Sequence, residues 1–134
     1  MECRFWLLDL NYEVVDGKPE VWLWGITDGG ERVLLIDRGY LPYFYAVLKP
    51  GARPEDVVER VLALRSSLPG IVSADVVDRR YFGRPVKAIK VTCQDPEELE
   101  RYARRVARLE GVEKCLEDDI RYSMSYLMDK GLRP

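Results

Sequence analysis

Short apolar stretches separated by turn residues fill the first forty positions of the chain. The stretches at 5–10, 20–27 and 32–37 have the length of β-strands, and the second is centred on Val-Trp-Leu-Trp. Glycine-containing turn sequences at 16–19 and 28–30 separate them. The pattern predicts three strands in an antiparallel meander.

From residue 43 onward the pattern alternates between strand and helix periods. It predicts strand, helix, strand, strand, helix and strand at 43–49, 54–68, 71–81, 85–93, 96–110 and 112–117. This order is the split βαβ, or ferredoxin-like, arrangement. Right-handed crossovers then place both helices on one face of the sheet.

Capping residues mark two of the predicted helices. Asp95 is the expected N-cap of the second helix, and Glu98 stands where it would complete a capping box. Asp119 is the expected cap of a last helix at 120–130, which Gly131 would end. The fold class is therefore α+β, with a meander, a ferredoxin-like unit and a terminal helix. We expect one domain, divided as 1–38, 39–118 and 119–134.

The charge balance limits how the chain could bind nucleic acid. The 134 residues include 33% charged side chains, yet the formal net charge is only −2. Proteins that bind nucleic acid through bulk charge are usually basic, so such a role here needs a local patch. The candidate patch comprises Arg79, Arg80, Arg84, Lys87 and Lys90, with Tyr81 or Phe82 to stack on a base. A solvated hairpin of mixed charge is an equal alternative.

The residue types that most enzyme sites need are scarce. Histidine is absent, which removes the Ser-His-Asp and Cys-His devices and imidazole metal ligands. The glycines lack the spacing of a phosphate-binding loop. The acidic run at 117–119 is better explained by helix capping and solvation than by a metal site. We therefore expect no catalysis by this chain alone, no metal and no cofactor.

The remaining composition bears on the cellular setting. The three cysteines, Cys3, Cys93 and Cys115, are an odd number without close spacing, which suits a reducing compartment. Neither a signal peptide nor a membrane-length apolar stretch is evident, so we expect a cytoplasmic protein. The chain has one asparagine and one glutamine, and such scarcity of amide side chains is typical of hyperthermophilic proteins.

Four segments, in order, resemble the amino-terminal domain of archaeal family B DNA polymerases. They are Leu-Asp-Leu-Asn-Tyr at 8–12 with Gly-Lys-Pro at 17–19, Asp-Arg-Gly-Tyr-Leu-Pro-Tyr-Phe-Tyr-Ala at 37–46, Phe-Gly-Arg-Pro at 82–85 with the strand at 87–91, and Asp-Ile at 119–120 with Tyr-Leu-Met-Asp-Lys-Gly-Leu-Arg-Pro at 126–134. Their order and spacing cover nearly the whole chain.

This resemblance implies a non-catalytic domain that binds single-stranded template DNA. In the family, the domain captures uracil and hypoxanthine ahead of the polymerase site and precedes an exonuclease domain. The expected partners are then single-stranded template, together with the exonuclease and palm domains or other replication proteins. No membrane is expected as a partner. The alternative is a structural or protein-interaction module of the same fold without a working base pocket.

The resemblance also implies specific site residues. The base-pocket positions are Tyr12, Pro42, Tyr43, Pro96, Leu99, Ile120, Arg121 and Tyr122, and the DNA-backbone candidates are Arg84, Lys87, Lys90 and Ser125. Three positions depart from the family pattern. Arg121 replaces a proline, Ser125 an arginine, and Leu99 a smaller valine. These three departures keep the structural alternative open. Apolar positions such as Tyr12, Leu99 and Ile120 are also equally typical of a protein core.

Overall fold

Seven strands and three α-helices make up the part of the chain that the computed structural model describes, residues 5–115 and 122–131 with the side chains at 123 and 124 excepted. In chain order they are β1 (Phe5–Val15), β2 (Lys18–Thr27), β3 (Arg32–Arg38), β4 (Tyr43–Leu48), α1 (Pro54–Ala63), β5 (Ile71–Tyr81), β6 (Arg84–Cys93), α2 (Leu99–Val106), β7 (Val112–Cys115) and α3 (Tyr122–Lys130). The α+β class and the predicted element order are confirmed.

These elements divide into two compact units. The first unit combines β1, β2 and β3 with α3, and the second holds β4 to β7 with α1 and α2. Each has its own hydrophobic core. No described helix is both long enough and apolar enough to cross a membrane.

In the first unit, three antiparallel strands form the predicted meander in the order β1-β2-β3. Alternate residues of β2 face opposite sides, because successive side chains of a strand do so. Val21 and Leu23 face a core that also contains Tyr122 and Tyr126 of α3. The helix therefore packs its tyrosine face on the meander.

In the second unit, the sheet has the order β5-β6-β4-β7 with every pair antiparallel. This is the ferredoxin-like order, with the first and third strands of the motif at the centre. Alternate residues of β4, such as Phe44 and Ala46, share one core with Val61 of α1 and Val106 of α2. Both helices thus pack on the same face of the sheet, as predicted.

The ends of the elements differ from the prediction at several places. β1 extends five residues beyond the predicted end, to Val15. The predicted first helix gives way to a 3₁₀ turn at Leu64–Ser66, and another 3₁₀ turn at Pro96–Glu98 precedes α2. The predicted ends at 116–117 and 119–121 lie outside the described residues.

Asp95 caps the turn before α2, but the capping box is incomplete. Its Oδ1 accepts from the Glu97 backbone N–H at 2.9 Å. The Glu98 carboxylate accepts from Arg101 Nε at 2.6 Å, in an ion pair along the helix, instead of returning to the cap. The donor is thus the second residue after the cap, which is an ordinary N-cap contact, and not the third residue that a capping box uses.

Candidate nucleic-acid interface

The tip of the β5–β6 hairpin exposes an aromatic side chain. Phe82 and Gly83 form a two-residue loop between Tyr81 and Arg84, which are paired across the ladder. Phe82 is 87% exposed, and its ring centroid lies 4.6 Å from that of Tyr81. An apolar ring this exposed gains little from burial in the fold.

The backbone at this tip adopts a left-handed conformation that phenylalanine disfavours. The φ angles are +50° at Phe82 and +75° at Gly83, as the type I′ hairpin turn requires at both loop residues. The β1–β2 hairpin has nearly the same angles, +52° at Asp16 and +75° at Gly17. There the residues are an aspartate and a glycine, which the turn favours, whereas Phe82 breaks the rule.

Several cations near the hairpin are already engaged by aromatic rings or carboxylates. Arg79 and Lys90 lie 4.2 Å above the rings of Tyr45 and Tyr43 respectively. Lys87 Nζ is 2.5 Å from Asp78 Oδ1, directly across the β5–β6 ladder. These contacts make Lys87 and Lys90 partly structural.

Other cations have no carboxylate within ion-pair distance among the described residues. They are Lys49 in the β4–α1 loop, Arg80 on β5 and Arg84 on β6, all three exposed. Lys49 and Arg84 line an open cleft of about 730 Å³ between the hairpin tip and the β4–α1 loop. Tyr81 and Phe82 also line this cleft, and Glu113 is the acidic residue on its wall.

The predicted base-pocket residues fall in both units. In the first, Tyr12 and Tyr122 meet edge to face with centroids 5.1 Å apart. The Tyr122 hydroxyl donates to the Tyr40 carbonyl at 2.5 Å. Burial, then the nearby charge of Asp37, raises the pKa of Tyr122, so its hydroxyl stays protonated and remains a donor.

The predicted base-pocket residues of the second unit that the structure describes are buried. Leu99 is only 1% exposed and belongs to the core. Pro42, Tyr43 and Pro96 are also buried, and the Pro42 carbonyl accepts from the Cys93 backbone N–H at 2.8 Å. Ile120 and Arg121 lie outside the described residues.

The predicted DNA-backbone candidates have different surroundings. Arg84 is exposed beside the cleft, whereas Ser125 is 5% exposed within α3. Lys87 and Lys90 take part in the contacts given above. Of these four, Arg84 therefore has the environment best suited to meeting a phosphate.

The acidic residues and cysteines of the described part of the chain bear on the expectations for a metal site and for reactive thiols. No group of three or more His, Cys, Asp or Glu residues there is placed to hold a metal ion. The predicted acidic run at 117–119 lies outside it. Burial raises the pKa of both Cys93 and Cys115 to about 12, so each is an unreactive thiol at neutral pH.

Sequence reasoning missed a tyrosine cluster in the first unit. Tyr40 lies between Tyr122 and Tyr126, with centroids 5.4 Å and 4.9 Å away. The Tyr126 hydroxyl donates to Asp37 Oδ2 at 2.7 Å. The i, i+4 spacing of Tyr122 and Tyr126 places both on one helix face and could have indicated this contact. Lys49 was missed as well, because only the folded loop brings it to the hairpin.

The chain matches curated protein sequences and a solved structure, although no family model matches it. "DNA polymerase 2" of Aeropyrum pernix is 34% identical and "DNA polymerase 3" of Saccharolobus shibatae 30% identical, each over 130 residues. Those matches cover 97% of this chain but 16% of each relative. The solved family B DNA polymerase of the hyperthermophilic archaeon Pyrobaculum calidifontis superposes with a TM-score of 0.84 at 38% identity, over 98% of this chain and 17% of that one.

Proposed function

Because this chain belongs to the archaeal family B DNA polymerases and corresponds to their amino-terminal region, we propose that it is a non-catalytic module that binds single-stranded template DNA. The observation that carries the proposal is the match to polymerases over 130 residues, together with a superposition at 38% identity. The chain spans only 16% of the length of the curated relatives it matches. We therefore propose template binding, and not polymerisation, as the contribution of this chain.

A local binding surface reconciles this role with the net charge of −2. Bulk attraction to phosphates is not available to such a chain. The β5–β6 hairpin nevertheless carries exposed cations beside an exposed ring. Aromatic side chains that stack on bases, beside cations that contact the backbone, are the groups that single-strand binders use.

The finer proposal is that the chain captures deaminated bases in that template. Uracil presents an acceptor at its 4-position where cytosine presents an amino donor, so fixed backbone N–H groups can tell them apart. Uracil differs from thymine only in lacking the 5-methyl group, which a close apolar wall excludes sterically. The base first has to leave its stack. Such a pocket requires neither histidine nor metal, in keeping with the composition of this chain.

One observation favours the competing function, a structural or protein-interaction module without a base pocket. Leu99 is 1% exposed, and Pro42 and Pro96 are buried with it in the second unit. Residues packed this tightly have the environment of a core and leave no apolar surface open to a base. The two functions therefore differ in whether uracil is distinguished from thymine.

A titration of matched single strands decides between them. Fluorescence anisotropy is measured with oligonucleotides that carry uracil, hypoxanthine, cytosine or thymine at one site. Capture predicts tighter binding of uracil and hypoxanthine, with the preference lost in Leu99→Gln, which puts a polar group on the pocket floor. Leu99→Val serves as the control, since it keeps an apolar wall and only removes volume. Equal affinity for all four strands would leave the structural module as the better account.

A further inference from the structure

The cleft beside the β5–β6 hairpin has three features that the base pocket does not use. Phe82 extends from its rim into solvent. Lys49 and Arg84 line it from two different elements, one from the β4–α1 loop and one from β6. Its volume of about 730 Å³ lies within the ~300–1,000 Å³ range of sites that hold small ligands.

We propose that this cleft is a second contact site for single-stranded DNA, in which Phe82 stacks on an unpaired base while Lys49 and Arg84 bind the flanking phosphates. The site extends the proposed template-binding function and rests on it. Its residues are separate from those of the base pocket. It recognises the strand without reading the identity of the base.

The position of Phe82 supports a role in binding more than one in folding. The side chain is 87% exposed, and its φ of +50° is one that a bulky residue adopts at a cost. The matching turn at Asp16-Gly17 shows that the same geometry forms with a residue the turn favours. A strained, exposed ring at a hairpin tip is a feature that function explains and packing does not.

The charges of the cleft complement a phosphate backbone. Its lining includes three cations, Lys49, Arg84 and Lys87, against one carboxylate, Glu113. Lys87 is paired with Asp78, but Lys49 and Arg84 have no such partner among the described residues. Two cations that line the same cleft as an exposed aromatic ring form the combination of charge and stacking surface with which single-strand binders hold a nucleotide.

Stacking on Phe82 requires an unpaired base. In a duplex the faces of the bases are already covered by their neighbours, and the ring at the hairpin tip would gain nothing. Every base has a π-face, so the contact is expected to be insensitive to sequence. These properties point to a single strand and not to a duplex.

The test combines a change in the protein with a change in the DNA. The whole chain is titrated with a labelled thymidine oligonucleotide of about twelve nucleotides, within the known site sizes, and with an abasic strand of equal length and charge. Phe82→Asn suits the turn but removes the ring, and should weaken binding of the thymidine strand about tenfold. It should leave the abasic strand unaffected. Phe82→Trp keeps an aromatic face and should bind like the parent chain.

The cation variants have a different expected signature. Each of the variants Arg84→Gln and Lys49→Gln should weaken the binding of both strands. Each should also reduce the slope of log affinity against log salt by about 0.7. Arg32→Gln is the matched control, because this exposed cation is not among the residues that line the cleft and should change neither value.

The outcomes separate this site from the proposed function. If Phe82→Asn binds the thymidine strand as the parent chain does, while the parent still prefers uracil to thymine, the hairpin site is wrong and template binding stands. If Phe82→Asn weakens the binding of the thymidine and abasic strands equally, Phe82 does not stack on a base. If the parent chain binds no single strand, both proposals fail together.

Discussion

At the scale of single residues, two hairpin turns share one backbone geometry but differ in how well their first residue suits it. Asp16-Gly17 and Phe82-Gly83 have φ angles that agree within two degrees at each position. Aspartate tolerates the left-handed region because its short side chain bonds locally, whereas phenylalanine has no such compensation. The second hairpin thus keeps a residue that its backbone disfavours, and that residue is the most exposed large apolar side chain described.

Replacing Phe82 should therefore stabilise the fold. We expect Phe82→Asn to raise the free energy of unfolding by about 1 kcal/mol, because the left-handed strain is relieved and little buried area is lost. The reverse change at the matching turn, Asp16→Phe, should lower it by a similar amount. Urea unfolding followed by circular dichroism measures both. A loss of stability in Phe82→Asn would show that the ring serves the fold.

At the scale of elements, tyrosine hydroxyls fix α3 to the meander. Tyr122 donates to the carbonyl of Tyr40, and Tyr126 donates to Asp37. Tyr40 in turn donates to Asp129 of the helix at 2.5 Å. Burial, followed by the hydrogen bond to Asp37, raises the pKa of Tyr126, and burial likewise raises that of Tyr122. The attachment therefore depends on these hydroxyls staying protonated.

Stability should fall in alkaline solution because of this attachment. The pKa of both tyrosines is raised in the folded state, so the unfolded chain releases their protons first, near the ordinary value of about 10. Their contribution is fully present below pH ~10 and is lost as the pH rises further. Melting temperatures between pH ~8 and ~11 should fall more steeply for the parent than for the Tyr122→Phe, Tyr126→Phe double variant. Parallel curves would contradict this.

The order of the elements could be predicted from the sequence, but their ends could not. Hydrophobic periodicity and glycine turns identified the meander and the ferredoxin-like order, because those patterns determine which face of each element is buried. Periodicity does not distinguish an α-helical turn from a 3₁₀ turn. The pattern therefore missed the 3₁₀ turns at Leu64–Ser66 and Pro96–Glu98.

The types of residue at the candidate site could be predicted from the sequence, but the contacts that each side chain makes could not. The basic and aromatic residues near 79–90 stand out in the sequence, yet strand register decides which of them are available. Asp78 lies opposite Lys87 and pairs with it, while Arg84 lies opposite Tyr81 and is left exposed. Lys49 joins the cleft only through the fold of the β4–α1 loop.

At the scale of the whole molecule, the proposed nucleic-acid role has to be reconciled with a slightly acidic chain. Its formal charge of −2 conceals a local excess of cations at the β5–β6 hairpin. Its relatives are DNA polymerases of archaea, matched over almost the full chain. Together these facts favour a module that recognises unpaired strand by stacking and by a few phosphate contacts.

The most direct test compares a single strand with the duplex of the same sequence across a range of salt concentrations. We predict tighter binding of the single strand, with a shallow slope of about −1.4 in log affinity against log salt, since Lys49 and Arg84 each displace about 0.7 counterions. Equal or tighter binding of the duplex would contradict it, because charge alone would then govern binding and no unpaired base would be recognised.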